Sequence, residues 1–542
     1  MKASRLIEGV ILVYALYYAG YGWLPASIVR DRVLKYIVNY YPFLGSPGID
    51  LLVLVASLSI LMATAVEKRM YYIGSAAIAI AGYLAHGVWQ QSLTLYSAAA
   101  LLALYPAYKS RGLLGLVRQA VPFLVLTEAT AIAAACSYFA TGSWSEASWA
   151  IIARERMLWA PLEWASIPLL ASMGLLWLAR LLRGSRQSSR RGGSRGCRGS
   201  YCLALAMTLS AMVVVVPHLP TVDPGLQPIS VDTYYYLRFI RDAEEHGLTW
   251  ALKAARGFAR PVYLLLIYAL SRLVDPIVLM DVVHPAASIM LLSLSSYILA
   301  RRIYGCRAAC IATILAPLGH SAVTFIAGGF QANSLAMPIA MLMLAINPSR
   351  PSILLLTGLA VALIHPWTMI MYSAGYILYY AKAGSGLKQA LRALVVLLTA
   401  LALSEAIDRL LASSPLEATT RTLQAAPGLY FPVSLFRGVE YWTWGSQANA
   451  LVYTMASLGP ATSIVAALVA VSTPLLLASS SMIVHRLILN MPLEVQAAGV
   501  AAEIDKQLTV LLFLASLARS LEVLSGMTPL TGELWRAILY RP

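Results

Sequence analysis

The chain has 542 residues, of which 59% are hydrophobic and 12% charged, with a formal net charge of +16. A mean hydropathy of +0.72 excludes a disordered chain and an ordinary soluble domain, and repeated apolar runs of about 15 to 25 residues define a polytopic membrane protein. These runs lack the alternation of barrel strands, so an all-α transmembrane helical bundle is expected.

The positive charge does not imply nucleic acid. Its arginines sit in short loops between apolar runs, where they set orientation, so membrane lipids are the expected partner. The cysteines, Cys136, Cys197, Cys202, Cys306 and Cys310, show no metal-site spacing and are read as free thiols. Met1-Lys2-Ala3-Ser4-Arg5 looks like the basic start of a signal peptide. No A-x-A-like site follows and the apolar run continues to Leu24, so a retained first helix is expected.

Residues 1–182 read as a six-span domain, with candidate spans at 6–24, 50–66, 71–87, 92–107, 119–139 and 161–182. Lys2 and Arg5 place the amino terminus in the cytoplasm, and counting spans leaves loops 25–49 and 140–160 outside. Arg154-Glu155-Arg156 and Glu163 are expected to form an outer interfacial charge cluster. From Arg180 to Arg198 there are seven arginines and no acid, interleaved with Gly, Ser and Gln. Residues 183–200 thus read as a flexible, basic, cytoplasmic linker that can touch anionic headgroups.

The second domain, 201–542, opens with span 201–217, running outward. It delivers the loop 218–260, which holds Asp232-Thr233-Tyr234-Tyr235-Tyr236-Leu237-Arg238 and closes on Arg260-Pro261-Val262-Tyr263. A carboxylate at the head of an aromatic run beside a membrane is costly unless water, a metal or a substrate faces it, which singles out Asp232. The apolar run 261–274 is about 21 Å of helix against roughly 30 Å of hydrocarbon, so it should lie in the interface. Span 283–300 runs inward to Arg301-Arg302, and 308–326 returns outward to the turn Ala327-Gly328-Gly329-Phe330-Gln331-Ala332-Asn333-Ser334.

Segment 335–346 goes back in, and then two short apolar segments, 353–364 and 367–380, are split by His365-Pro366-Trp367-Thr368. Proline forces that break. Paired short helices persist at membrane depth when they are buried or line a wet cavity, so His365 either serves a site or caps a helix. Span 387–407 leads to an outer loop, 408–449, with Glu440, Trp442 and Trp444 as an interfacial belt. The stretch 450–484 is long for one span and short for two, which leaves the side of His485-Arg486 open. The last span is 508–525.

These marks, in this order, resemble the GT-C superfamily of membrane glycosyltransferases. They are the acidic Asp232-Thr233-Tyr234-Tyr235 motif after a first span, the Pro-Val-Tyr-Leu-Leu run, Leu299-Ala300-Arg301-Arg302-Ile303-Tyr304-Gly305, and the Gly-rich turn. The resemblance covers about 200–380 closely and 380–542 loosely, and the first domain has no counterpart. It implies sugar transfer from a polyprenyl-phosphate-linked donor at the extracytoplasmic face. Asp232 would be the base or a metal ligand, and Mg²⁺ or Mn²⁺ a possible cofactor. Tyr234 and Tyr235 would stack on a sugar, while Arg238, Arg260 and Arg486 would take the phosphate, with His365 a further binding candidate. Gln331 and Asn333 stand where relatives carry metal-binding acids, so any metal would bind weakly. Oligosaccharyltransferase itself is set aside, since no Trp-Trp-Asp-Tyr-Gly motif occurs. The alternative is a lipid-linked sugar flippase, a transporter or a catalytically silent scaffold. Against a transporter, only the second half carries a broken helix pair.

Overall fold

The computed structural model describes residues 113–182, 199–230, 232–255, 260–382, 387–411, 450–478, 486–504 and 506–525. The spans expected at 6–24, 50–66, 71–87 and 92–107, nearly all of the linker, the loop 412–449 and His485 lie outside them. Every described element is helical. The helices are α1 Leu113–Thr141, α2 Glu146–Leu182, α3 Gly199–Val215, α4 Thr233–His246, α5 Leu248–Ala255 and α6 Pro261–Ser271. They continue with α7 His284–Tyr304, α8 Cys306–Leu315, α9 His320–Gly328, α10 Gln331–Leu344, α11 Pro351–Ile364 and α12 Pro366–Lys382. The last are α13 Leu387–Leu411, α14 Ala450–Ser457, α15 Ile464–Ala478, α16 Leu493–Ala501 and α17 Lys506–Ser525.

Six segments are long and apolar enough to span a membrane: Leu124–Thr141, Gly199–His218, Pro276–Tyr304, Cys306–Gly328, Leu387–Leu411 and Lys506–Ser525. That is the architecture of an integral membrane protein. Their environments differ sharply. In Cys306–Gly328 89% of the residues of its most apolar 18-residue stretch are buried, which puts it at the centre, whereas in Leu387–Leu411 28% are, and Leu391, Val395 and Leu398 turn outward, as on a lipid-facing helix.

Three findings differ from the reading of the sequence. The expected outer loop 140–160 is mostly helix, because α2 begins at Glu146. Glu155 is therefore buried, not interfacial: Arg519 Nε of α17 lies 3.2 Å from its carboxylate, and Arg519 Nη1 donates to Glu522 at 2.8 Å. Glu128 of α1, hydrogen-bonded by Trp159 Nε1, is fully buried and acts electrostatically on the same arginine. An arginine shared among three acids is how such charges persist in a low-dielectric interior. Consequently α1 and α2 pack against α17, α14 and α15, joining a hydrophobic cluster with residues from 213 to 524.

Second, the cysteines are not all free. Cys202 of α3 and Cys310 of α8 form a disulfide with Cα atoms 5.3 Å apart, and Cys306 is disulfide-bonded too; Cys136 is free and exposed. Helix packing brings α3 and α8 side by side, which spacing along the chain does not reveal. Third, the span expected at 308–326 is broken at Ala316–Leu318, where Pro317 has no N–H to donate.

Candidate functional site

The ends of three membrane segments and the loop 219–232 meet on one side of the bundle. After α3, a 3₁₀ turn ends at His218. Asp223 organises the loop that follows: it accepts from the Gln227 N–H at 2.9 Å and lies 3.2 Å from His218 Nδ1. Both side chains are buried. A second buried carboxylate, Asp281, reaches in from a π-turn at Leu279–Val283. The cause of that turn is Pro285, which cannot donate to the carbonyl four residues back, that of Asp281. Asp281 accepts from the Ile229 N–H at 2.9 Å and from Ser230 Oγ at 3.4 Å, and Ser230 is hydrogen-bonded to Thr233.

Asp232 heads α4 with its side chain half-buried and making no capping bond. Its N–H donates to the Gly328 carbonyl at 3.1 Å, which seats α4 on the turn after α9. Glycine is required there. Gly329 has φ +66°, and a Cβ would come within 2.6 Å of Ser230 Oγ and 2.8 Å of Thr233 N. From α10, Gln331 Nε2 donates to the Met280 carbonyl at 2.7 Å and to Thr233 Oγ1 at 3.4 Å. The fold thus brings Asp232 together with the Gly-rich turn and adds Asp281, His218 and Asp223.

Three buried polar atoms in these segments have no hydrogen-bond partner: His218 Nε2, Gln331 Oε1 and Asn333 Oδ1. Burying such groups without a partner costs free energy, so they are the unspent bonding capacity of the region.

The remaining candidates divide. Tyr234 donates its hydroxyl to the Pro228 carbonyl at 3.3 Å, which staples the loop, while Tyr235 is 54% exposed. Arg238 is exposed and 3.9 Å from Asp242, one helical turn on, a spacing that contributes little. Arg260 precedes α6 and donates to Tyr236 at 3.4 Å. Tyr236 packs edge-on against Tyr263, whose hydroxyl is 3.1 Å from His284 Nε2. Burial pushes the Tyr263 phenol well above its usual range, so it stays protonated. Arg486 begins a 3₁₀ turn, and its side chain lies outside the described residues. His365 caps: its Nδ1 accepts from the Thr368 N–H at 3.2 Å and from the Thr368 hydroxyl at 2.8 Å.

Asp232, Gln331 and Asn333 do not fit a resident divalent cation. They offer one carboxylate and two neutral amides, and the Gln331 amide is already committed through its nitrogen. Among the described residues no group of three or more His, Cys, Asp or Glu side chains stands at metal-holding spacing. Hard cations need more oxygen ligands than this.

Asp281, His218 and Asp223 were not singled out by the sequence. A signal for Asp281 existed: an acid just inside an apolar segment, four residues before a proline. No family model, no curated protein and no solved structure matches the chain.

Proposed function

We propose that this is a membrane glycosyltransferase that takes a sugar from a polyprenyl-phosphate-linked donor, with Asp232 as its base. The observation that carries the reading is the meeting of the Asp232 head of α4 with the Gly328-Gly329 turn, beside the unspent polar atoms of His218, Gln331 and Asn333. Hydroxyl-rich ligands suit such atoms, which offer a ring nitrogen and two amide oxygens.

In the proposed reaction the acceptor hydroxyl gives its proton to the Asp232 carboxylate as its oxygen attacks the anomeric carbon. The bond from that carbon to the phosphate oxygen breaks, the electron pair leaves with the polyprenyl phosphate, and the configuration inverts. Arg238 and Arg260 are the cations available for the leaving phosphate. No step runs through a metal ion. Span counting and arginine placement put this end of the bundle on the extracytoplasmic side of the cytoplasmic membrane.

Purified protein should transfer sugar from such donors, and Asp232→Asn should cut the rate about 10²–10⁴-fold without unfolding the protein. A wild-type rate in that variant removes Asp232 from the mechanism. One observation favours a second reading, a silent relative or a lipid-linked sugar transporter. Asp281, a buried acid of the region, already accepts from the Ile229 N–H and the Ser230 hydroxyl, as a structural group does. Donor binding without transfer by the wild type would support that reading.

A further inference from the structure

The loop that leads from α3 to Asp232 has little to hold it in place by itself. It contains Pro220, Pro224 and Pro228, which have no N–H to donate, and its tip at 224–227 is exposed. Leu226 in that tip has φ +43°, the one positive value at a non-glycine among the described residues. A leucine gains nothing locally from a left-handed backbone, so this conformation is imposed by whatever grips the loop on either side.

Beyond the tip the grip is the site itself. Asp281 takes the Ile229 N–H, and Tyr234 donates to the Pro228 carbonyl. At the middle, Asp223 joins the Gln227 N–H to His218. Before the tip the grip comes from the first half of the chain. Thr221 Oγ1 donates to the Phe139 carbonyl of α1 at 2.5 Å, across 82 residues of sequence.

The end of α1 is shaped for that contact. The helix stops at Thr141, so the Phe139 carbonyl belongs to the last turn, whose carbonyls have no partner within the helix. Thr221 supplies one. Gly142 follows with φ +72°, and its N–H donates back to the Tyr138 carbonyl at 2.7 Å. A Cβ at 142 would collide with the Thr221 carbonyl oxygen, so glycine permits both the left-handed end and the close approach of the loop.

The turn is also held from within. Thr141 Oγ1 donates to the Ser137 carbonyl at 2.9 Å and accepts from the Ser143 N–H at 3.4 Å. Tyr138 stacks on Trp144 with ring centroids 4.8 Å apart. Val222, next to Thr221, is buried in the same apolar cluster as Tyr138 and Phe139. Further along the two helices, Arg519 of α17 anchors Glu155.

We propose that the turn between α1 and α2 is a positioning element of the candidate site. Through Thr221 and Gly142 it seats the loop 219–230, and so sets where Asp223, His218 and the head of α4 stand. The part of the chain that lies outside the resemblance is then a component of the site and not a separate module. The inference rests on the site lying around Asp232, and not on sugar transfer.

Hydrogen exchange followed by mass spectrometry, on the full-length protein in lipid nanodiscs, tests it without a ligand. Thr221→Val keeps the shape and removes the donor, so exchange over 219–229 should rise about tenfold, the weight of one hydrogen bond. The rise should reach 229–236, which hold the Asp281 contact and the Asp232 N–H, while 113–137 and 506–525 keep their protection. Thr221→Ser restores the hydroxyl and should exchange like the wild type. Gly142→Ala disturbs the contact from the other partner, and should loosen 219–236 although the substitution lies in the first half. Unchanged exchange in Thr221→Val, or a serine variant that behaves like the valine one, overturns the proposal. A rise that stops at 223 leaves the site unmoved and overturns it as well. So does Gly142→Ala that loosens 138–146 alone, or a rise spread through 506–525, which would make the contact ordinary packing.

Discussion

The candidate site turns on a few residues whose chemistry and backbone cannot be exchanged. Asp232 illustrates this, because its main chain is spent on holding α4 to the Gly328 carbonyl while its carboxyl makes no capping bond. Glycine at 329 is as important, since any side chain there meets Ser230, Thr233 and the Asp232 backbone in a left-handed conformation. Gly329→Ala should lower stability by about 1–3 kcal/mol, as strained positive-φ positions do. Exchange of the Asp232 N–H should accelerate at the same time. Unchanged melting and exchange would show that α4 does not rest on this turn.

The helices themselves are interrupted where proline and glycine require it, and a buried polar side chain stands at the breaks near 285, 317 and 365. At 365 the imidazole bonds Thr368 through one nitrogen and so closes the first turn of α12. His365→Leu removes that cap and should cost about 0.5–2 kcal/mol of stability. Transfer activity per folded molecule should change little. A large loss of activity with unchanged melting would instead make His365 a ligand-binding residue. Near the break at Pro317 His320 meets Glu494, and at the π-turn before Pro285 the Asp281 carboxylate takes the Ile229 N–H of the neighbouring loop. In both places a buried polar side chain finds its partner on a distant segment of the chain, as buried polar groups require.

Across the whole molecule, the packing of α1 and α2 against α17 makes the described helices of both halves share one core. The proposed orientation rests on charge alone: it would put the arginines of 180–198 in the cytoplasm and the loop at Gly225 on the opposite side. Gly225 is exposed, so Gly225→Cys in a background with native cysteines replaced by alanine should react with an impermeant thiol reagent in intact cells. Ser188→Cys should be protected. The reverse pattern would invert the orientation and remove the extracytoplasmic reaction.

The sequence by itself determined the class and much of the punctuation. Hydropathy specifies crossing helices because lipid offers no partner for an open backbone, and Pro366 and Gly305 mark ends the structure also has. The Asp232 motif and the turn at 328–334 were legible as separate pieces of polar sequence in an apolar chain. Their contact was not, because 95 residues separate Asp232 from Ala327 and spacing carries no information about which helix ends meet. Tertiary structure alone decided that α2 begins at Glu146, that Glu155 pairs with Arg519 from the far end of the chain, and that Cys202 faces Cys310. The same holds for His218 with Asp223 and Asp281, and for His320 with Glu494. Each of these groups is tolerable in a buried site only once packing supplies its partner, and a partner from another helix is written nowhere in the local sequence.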